Sequence, residues 1–145
     1  MAIGKKIVLV VEDDREMAAI IQEVLLRENY DVLTAENGKE ALALMQIHPA
    51  NVIIADWKAP VCNGMRLIDK VRASFPQTKV IMITAFGEVD IYLEAMNRGA
   101  FEFLSKPLNI NELKTLVDRA VGEVEPQLPG ASWPRPAPPP ASPNM

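Results

Sequence analysis

Cysteine, histidine and long apolar runs are all scarce in this chain, and each scarcity removes a class of function. There is one cysteine, Cys62, and one histidine, His48, in 145 residues. A single thiol cannot close an intramolecular disulfide, which points to a reducing, cytosolic compartment. His48, beside Pro49 at the end of a helical stretch, is a poor catalytic group, so a metal site here would have to be built from oxygen. The apolar run Ile7 to Val11 stops after five residues at Glu12, too short for a signal-peptide core or a membrane span. No membrane partner is expected. Fifteen Lys and Arg against 19 Asp and Glu leave a net charge of -4 with no basic cluster, which disfavours direct nucleic-acid binding. Neither Gly-x-x-x-x-Gly-Lys nor Gly-x-Gly-x-x-Gly occurs, so nothing marks a P-loop or Rossmann nucleotide site.

The residues that are present divide in two. Eight of the 12 prolines fall in residues 126–145, a stretch without apolar periodicity that reads as a proline-rich disordered tail or linker. All 19 acids precede it, so residues 1–125 hold 19 acids and 14 bases, a net of -5. This first part has the apolar content of a single folded domain.

Within residues 1–125, short β-branched runs alternate with longer amphipathic stretches, the pattern of repeated βα units around a parallel sheet. Strands are expected at Lys6 to Val11, Asp31 to Ala35, Asn51 to Ala55, Lys79 to Ile83 and Phe101 to Leu104. The first, third and fourth are continuously apolar, as in strands covered on both faces. A first helix over 14–28 should turn Met17, Ile20, Ile21, Val24 and Leu25 inward. A second begins after Asn37 and ends near Pro49, and a third runs from Gly64 to about Ala73. The fourth runs from Glu88 to Arg98 and is stopped by Gly99. The last buries Leu113, Leu116, Val117, Ala120, Val121 and Val124 at helical spacing, capped by Asn109 or Asn111.

In such a sheet, ligands bind beyond the carboxyl ends of the strands. The polar residues expected there are Glu12, Asp13 and Asp14 after the first strand, Asp56 after the third, Thr84 after the fourth, and Ser105 and Lys106 after the fifth. Taken singly, most have a structural explanation: Asp14 caps the next helix, Thr84 ends a strand and Lys106 is a solvated charge. Asp56 is harder to explain that way, because no helix opens directly after it. Two carboxylates about 5 Å apart at an effective dielectric near 20 repel by roughly 3 kcal/mol, so Glu12, Asp13 and Asp56 together call for a counter-charge. Oxygen ligands alone favour Mg²⁺, with Lys106 a further fixed cation. The array suits phosphoryl transfer, with an ionised carboxylate as nucleophile.

The stretches IVLVVEDD, VIIADWKAP followed by NGM, VIMITAFG and GAFEFLSKPL occur in an order and at separations that resemble the receiver domain of two-component response regulators, over about residues 5 to 123. The resemblance implies a doubly wound, flavodoxin-like (βα)5 fold with strand order 2-1-3-4-5. It implies Asp56 as phosphoacceptor for a histidine kinase. It implies Mg²⁺ held by Glu12, Asp13, Asp56 and the backbone carbonyl of Lys58. Thr84 and Lys106 would contact phosphoryl oxygens, and Thr84 and Phe103 would form the conformational switch. Ala85 would leave the phosphoryl group room, with Phe86, Trp57 and Lys58 beside the access route. The Lys106–Pro107 peptide is expected to be cis, and the readout face to be the fourth helix, fifth strand and fifth helix. That face would meet an output domain or effector, with homodimer formation on phosphorylation as a compatible partner state. The closest flavour is the nitrogen-regulatory group.

Some positions depart from the family's usual residues. Glu12 stands for the commoner Asp, Asn63 for a frequent Asp, and Ala59 and Cys62 for Met. Lys58 either reaches the pocket mouth or points outward, and Cys62 is read as an ordinary loop thiol. Two other classes are weaker. A haloacid-dehalogenase-type phosphatase needs an Asp-x-Asp motif after the first strand, which Glu12-Asp13-Asp14 lacks. A vestigial module acting through PRPAPPP would need an SH3-like partner.

Overall fold

Five βα units succeed one another: β1 (Ile7–Val11), α1 (Arg15–Arg27), β2 (Asp31–Ala35), α2 (Gly38–Ile47), β3 (Val52–Asp56), α3 (Gly64–Ser74), β4 (Lys79–Ala85), α4 (Val89–Arg98), β5 (Glu102–Lys106) and α5 (Ile110–Gly122). The computed structural model describes residues 6–56, 64–85 and 88–122. The expectations for Trp57, Lys58, Ala59, Cys62, Asn63, Phe86, Val124 and the stretch 126–145 lie outside the described residues. All strand pairs are parallel, in the order β2-β1-β3-β4-β5. The doubly wound, flavodoxin-like expectation holds.

Alternation along the apolar strands explains the layering. Leu9, Val11, Ile53, Ala55, Val80 and Met82 enter one cluster with Met45, Leu67, Ile68, Val71 and Ala95 of α2, α3 and α4. Val8, Val10, Val52, Ile54, Ile81 and Ile83 enter the other with Ile21 and Leu25 of α1 and Leu113, Leu116, Val117 and Ala120 of α5. These strands therefore bury both faces, and each fully buried Leu, Ile or Val contributes about 1.5–3 kcal/mol.

The helices start where short polar side chains satisfy their free N–H groups. Asp14 accepts from Glu16 and Met17 N at 3.0 and 3.2 Å. Asn37 accepts from Glu40 N at 2.8 Å, and Glu40 accepts in return from Glu36 N at 2.8 Å. Asn109, rather than Asn111, caps α5 through Glu112 N at 2.9 Å. Gly99 ends α4 with φ of 105°, in the left-handed region where a Cβ is unfavourable.

Three strands run further at their carboxyl ends than the sequence expectation, all for one reason. Asp56, Thr84, Ser105 and Lys106 are still paired at the ends of their strands: Asp56 lies opposite Ile83, Thr84 opposite Ser105 and Ala85 opposite Lys106. Parallel pairing continues through polar residues that apolar patterning had placed beyond the strand ends. Ile20 also departs. It is 49% exposed, and Ala18 is buried in its stead. A single helical turn cannot centre both Ile20 and Ile21 on one sheet, and Ile21 takes the inner position.

Candidate functional site

The carboxyl ends of β1, β3, β4 and β5 bring Glu12, Asp56, Thr84 and Lys106 to one rim. Glu12, Asp56 and Thr84 are all buried, at 3%, 8% and 1% exposure. Lys106 reaches across from β5 and donates from Nζ to Asp56 Oδ2 at 2.9 Å. The half-exposed lysine keeps its charge: burial pulls its pKa down, but the hydrogen bond and negative charge of Asp56, with Glu12 and Asp14, outweigh this and raise it.

Glu12 comes directly after β1, and its backbone N–H donates to Ala35 O at 2.9 Å, which holds it at the sheet edge. Its Oε2 accepts from Asp14 N at 3.2 Å. Its Oε1 is buried with no hydrogen-bond partner among the described residues. Burial raises the Glu12 pKa, and the nearby charges of Asp56 and Asp13 raise it further. The Asp14 N–H and Lys106 oppose that shift. Asp13 itself is exposed, one residue outward along the loop.

The three acids thus share a field without converging. Among the described residues, no group of three or more His, Cys, Asp and Glu side chains could hold a metal ion. Lys106 is the fixed cation expected beside these acids: its ammonium pairs with Asp56, while Asp13 faces solvent. The donor chemistry still fits Mg²⁺. That ion typically takes one or two protein carboxylates and fills its remaining positions with water and phosphate oxygens, and Glu12 Oε1 is a buried acceptor lacking a donor among the described residues.

Thr84 Oγ1 donates to Glu88 Oε1, at the start of α4. Ala85, also expected near the access route, is exposed, and its N–H donates to the same oxygen at 3.2 Å. Phe103 is half-buried on β5 and stacks on Tyr92 of α4, with centroids 4.9 Å apart and planes at 60°. The Lys106–Pro107 peptide is cis. Lys58 and Phe86 lie outside the described residues.

Sequence reasoning missed Glu88 and Tyr92. An acid four residues beyond a strand-end threonine, just before a helix, is the signal that could have found Glu88. The Tyr92–Phe103 stack joins elements with no local sequence relation.

Residues 8–118 match the response regulator receiver domain as a family. The chain belongs to that family. Among its relatives, the receiver is similar to the response regulator protein PilR of Pseudomonas aeruginosa, with 34% identity over 78% of this chain and 25% of PilR. It is also similar to the DNA-binding transcriptional regulator NtrC of Salmonella typhimurium, with 32% identity over 83% of this chain and 26% of NtrC. The receiver therefore spans about a quarter of the length of these relatives. Its fold is similar to the crystal structure of the receiver domain of NtrX from Brucella abortus, with a TM-score of 0.75, 26% identity, and coverage of 79% of this chain and 97% of that one. The nitrogen-regulatory flavour expected from the motifs agrees with these relatives.

Proposed function

We propose that this receiver accepts a phosphoryl group on Asp56 from the phosphohistidine of a histidine kinase, and changes conformation to control an output domain or effector. The observation that carries the reading is the Asp56–Lys106 contact of 2.9 Å at the sheet rim, beside a buried Glu12 whose Oε1 lacks a donor among the described residues. In the reaction a carboxylate oxygen of Asp56 attacks phosphorus. The P–N bond breaks, its electron pair stays with the departing imidazole, and an acyl phosphate forms. Lys106, charged throughout the physiological range, holds the attacking carboxylate and then a phosphoryl oxygen. Thr84 supplies a hydroxyl donor to another. Mg²⁺ would be held by one or two carboxylates drawn from Glu12, Asp13 and Asp56, with the Lys58 carbonyl and water, and when bound would neutralise charge on the transferring group.

The switch is read through Thr84 and Phe103. Ala85 would border the entry for the phosphodonor. The face formed by α4, β5 and α5 is the proposed output surface, and Tyr92 and Leu93 of α4 are 37% and 53% exposed on it. Residues 126–145 would serve as a tail or linker beside the receiver, residues 1–125, of a cytoplasmic regulator. A homodimer of phosphorylated receivers would use the same face.

Intact mass after incubation with acetyl phosphate and Mg²⁺ tests this reading. One phosphoryl adduct should form, and it should be absent with EDTA and in Asp56→Asn. No adduct in the wild-type chain, or an adduct that survives Asp56→Asn, would overturn it.

A further inference from the structure

Glu88 stands at the N-cap of α4, yet its side chain makes no cap to its own helix. Asp14, Asn37 and Asn109, at the starts of three other helices, each accept an N–H of the first turn. The Glu88 carboxylate turns back to β4 instead, where Oε1 accepts from the Thr84 hydroxyl and the Ala85 N–H. α4 thus takes no side-chain cap from Glu88, and its N-terminus instead gains a hold on a threonine that is only 1% exposed.

A threonine hydroxyl has one proton and can donate to one acceptor at a time. We infer that Glu88 is a positioning residue that holds the Thr84 hydroxyl against α4 in the unphosphorylated chain and competes with the phosphoryl group for its proton. The inference rests on the reading of Asp56 as phosphoacceptor. Glu88 does not touch the phosphoryl group and acts through Thr84. Once the hydroxyl donates to a phosphoryl oxygen, the Glu88 carboxylate loses that donor and can turn to the N–H groups of its own helix. The change reaches the output face directly, because Tyr92, whose N–H donates to Glu88 O at 3.2 Å, carries the ring stacked on Phe103.

The test uses the full chain with Mg²⁺ and beryllofluoride, whose BeF₃ group stands in for the phosphoryl group on Asp56. Glu88→Ala should bind beryllofluoride about tenfold tighter than wild type, the scale of a charge-assisted hydrogen bond removed from the free state. Glu88→Gln, which keeps a neutral acceptor, should fall between the two. In a Thr84→Val background the Glu88 substitutions should leave affinity unchanged. In NMR spectra without beryllofluoride, the Tyr92 and Phe103 amides of Glu88→Ala should shift toward their positions in the loaded wild type. Unchanged affinity in Glu88→Ala, or an equal change in the Thr84→Val background, would overturn the inference. Acetyl phosphate separates the two levels: an adduct on Asp56 with inert Glu88 variants defeats the inference alone, whereas no adduct defeats the phosphoacceptor reading and the inference with it.

Discussion

Replacing Glu12 with glutamine should stabilise the metal-free chain and remove most of its thermal response to Mg²⁺. Glu12 is 3% exposed. One oxygen accepts from Asp14 N at 3.2 Å, and the other has no partner among the described residues. A buried polar group left without a partner costs about 1–3 kcal/mol. Glutamine keeps an acceptor for the Asp14 N–H and removes a charge that burial and the neighbouring Asp56 and Asp13 disfavour. It also sets an amide donor near where Oε1 stood, so the net gain lies at the lower end, about 1 kcal/mol. For a domain of this size that corresponds to roughly 3–5 °C in Tm. Because the folded pKa of Glu12 is raised, its protonated form contributes stability at low pH that is lost as pH rises through the folded value. The advantage of the variant should therefore grow with pH across that window and then level off. Calorimetric unfolding at pH 7, in EDTA and in excess Mg²⁺, reads both effects. A variant that melts below wild type in EDTA, with an undiminished Mg²⁺ shift, would refute the reasoning.

Other substitutions probe the remaining contacts. Lys106→Ala should lower stability by about 1–2 kcal/mol at neutral pH, discounted for the partial exposure of the ion pair, and should slow phosphoryl uptake from acetyl phosphate. The raised pKa of Lys106 means its stabilisation is complete below the unfolded value and is lost as pH rises through the folded one. Urea midpoints of the two chains should therefore converge in strongly alkaline solution, and parallel curves would contradict the assignment. Gly99→Ala places a Cβ at φ of 105° and 2.5 Å from Arg72 Nε. The arginine tip can swing aside, so the cost is mainly the left-handed backbone, about 1–2 kcal/mol, and an unchanged urea midpoint would contradict it.

The βα alternation and the two-sided burial of the sheet were legible because β1, β3 and β4 are unbroken apolar runs, a pattern that doubly covered strands sustain. Strand order was a different matter. Nothing in local periodicity says that β3 pairs with β1, and that expectation came from the resemblance of the motifs. Asp56, Thr84 and Lys106 were singled out as rim residues, but their place inside the ladder was hidden, because polar side chains do not announce continued backbone pairing. Ile20 was misplaced because helical periodicity gives a face and not its width. Lys106 was expected as a fixed cation at the rim, but its direct pairing with Asp56 became visible only with the register of β3, β4 and β5. The partner of Thr84 was legible only as a spacing, an acid four residues on at the start of α4, and that spacing does not say that the carboxylate turns back to β4 instead of capping its own helix.

Borohydride trapping most directly tests the claim that Asp56 receives the phosphoryl group. Reduction of an aspartyl phosphate yields homoserine, so peptide sequencing after treatment with acetyl phosphate, Mg²⁺ and borohydride should find homoserine at position 56 and aspartate at 13 and 14. Homoserine at another position, or aspartate retained at 56 in a chain that carries the adduct, would contradict the account.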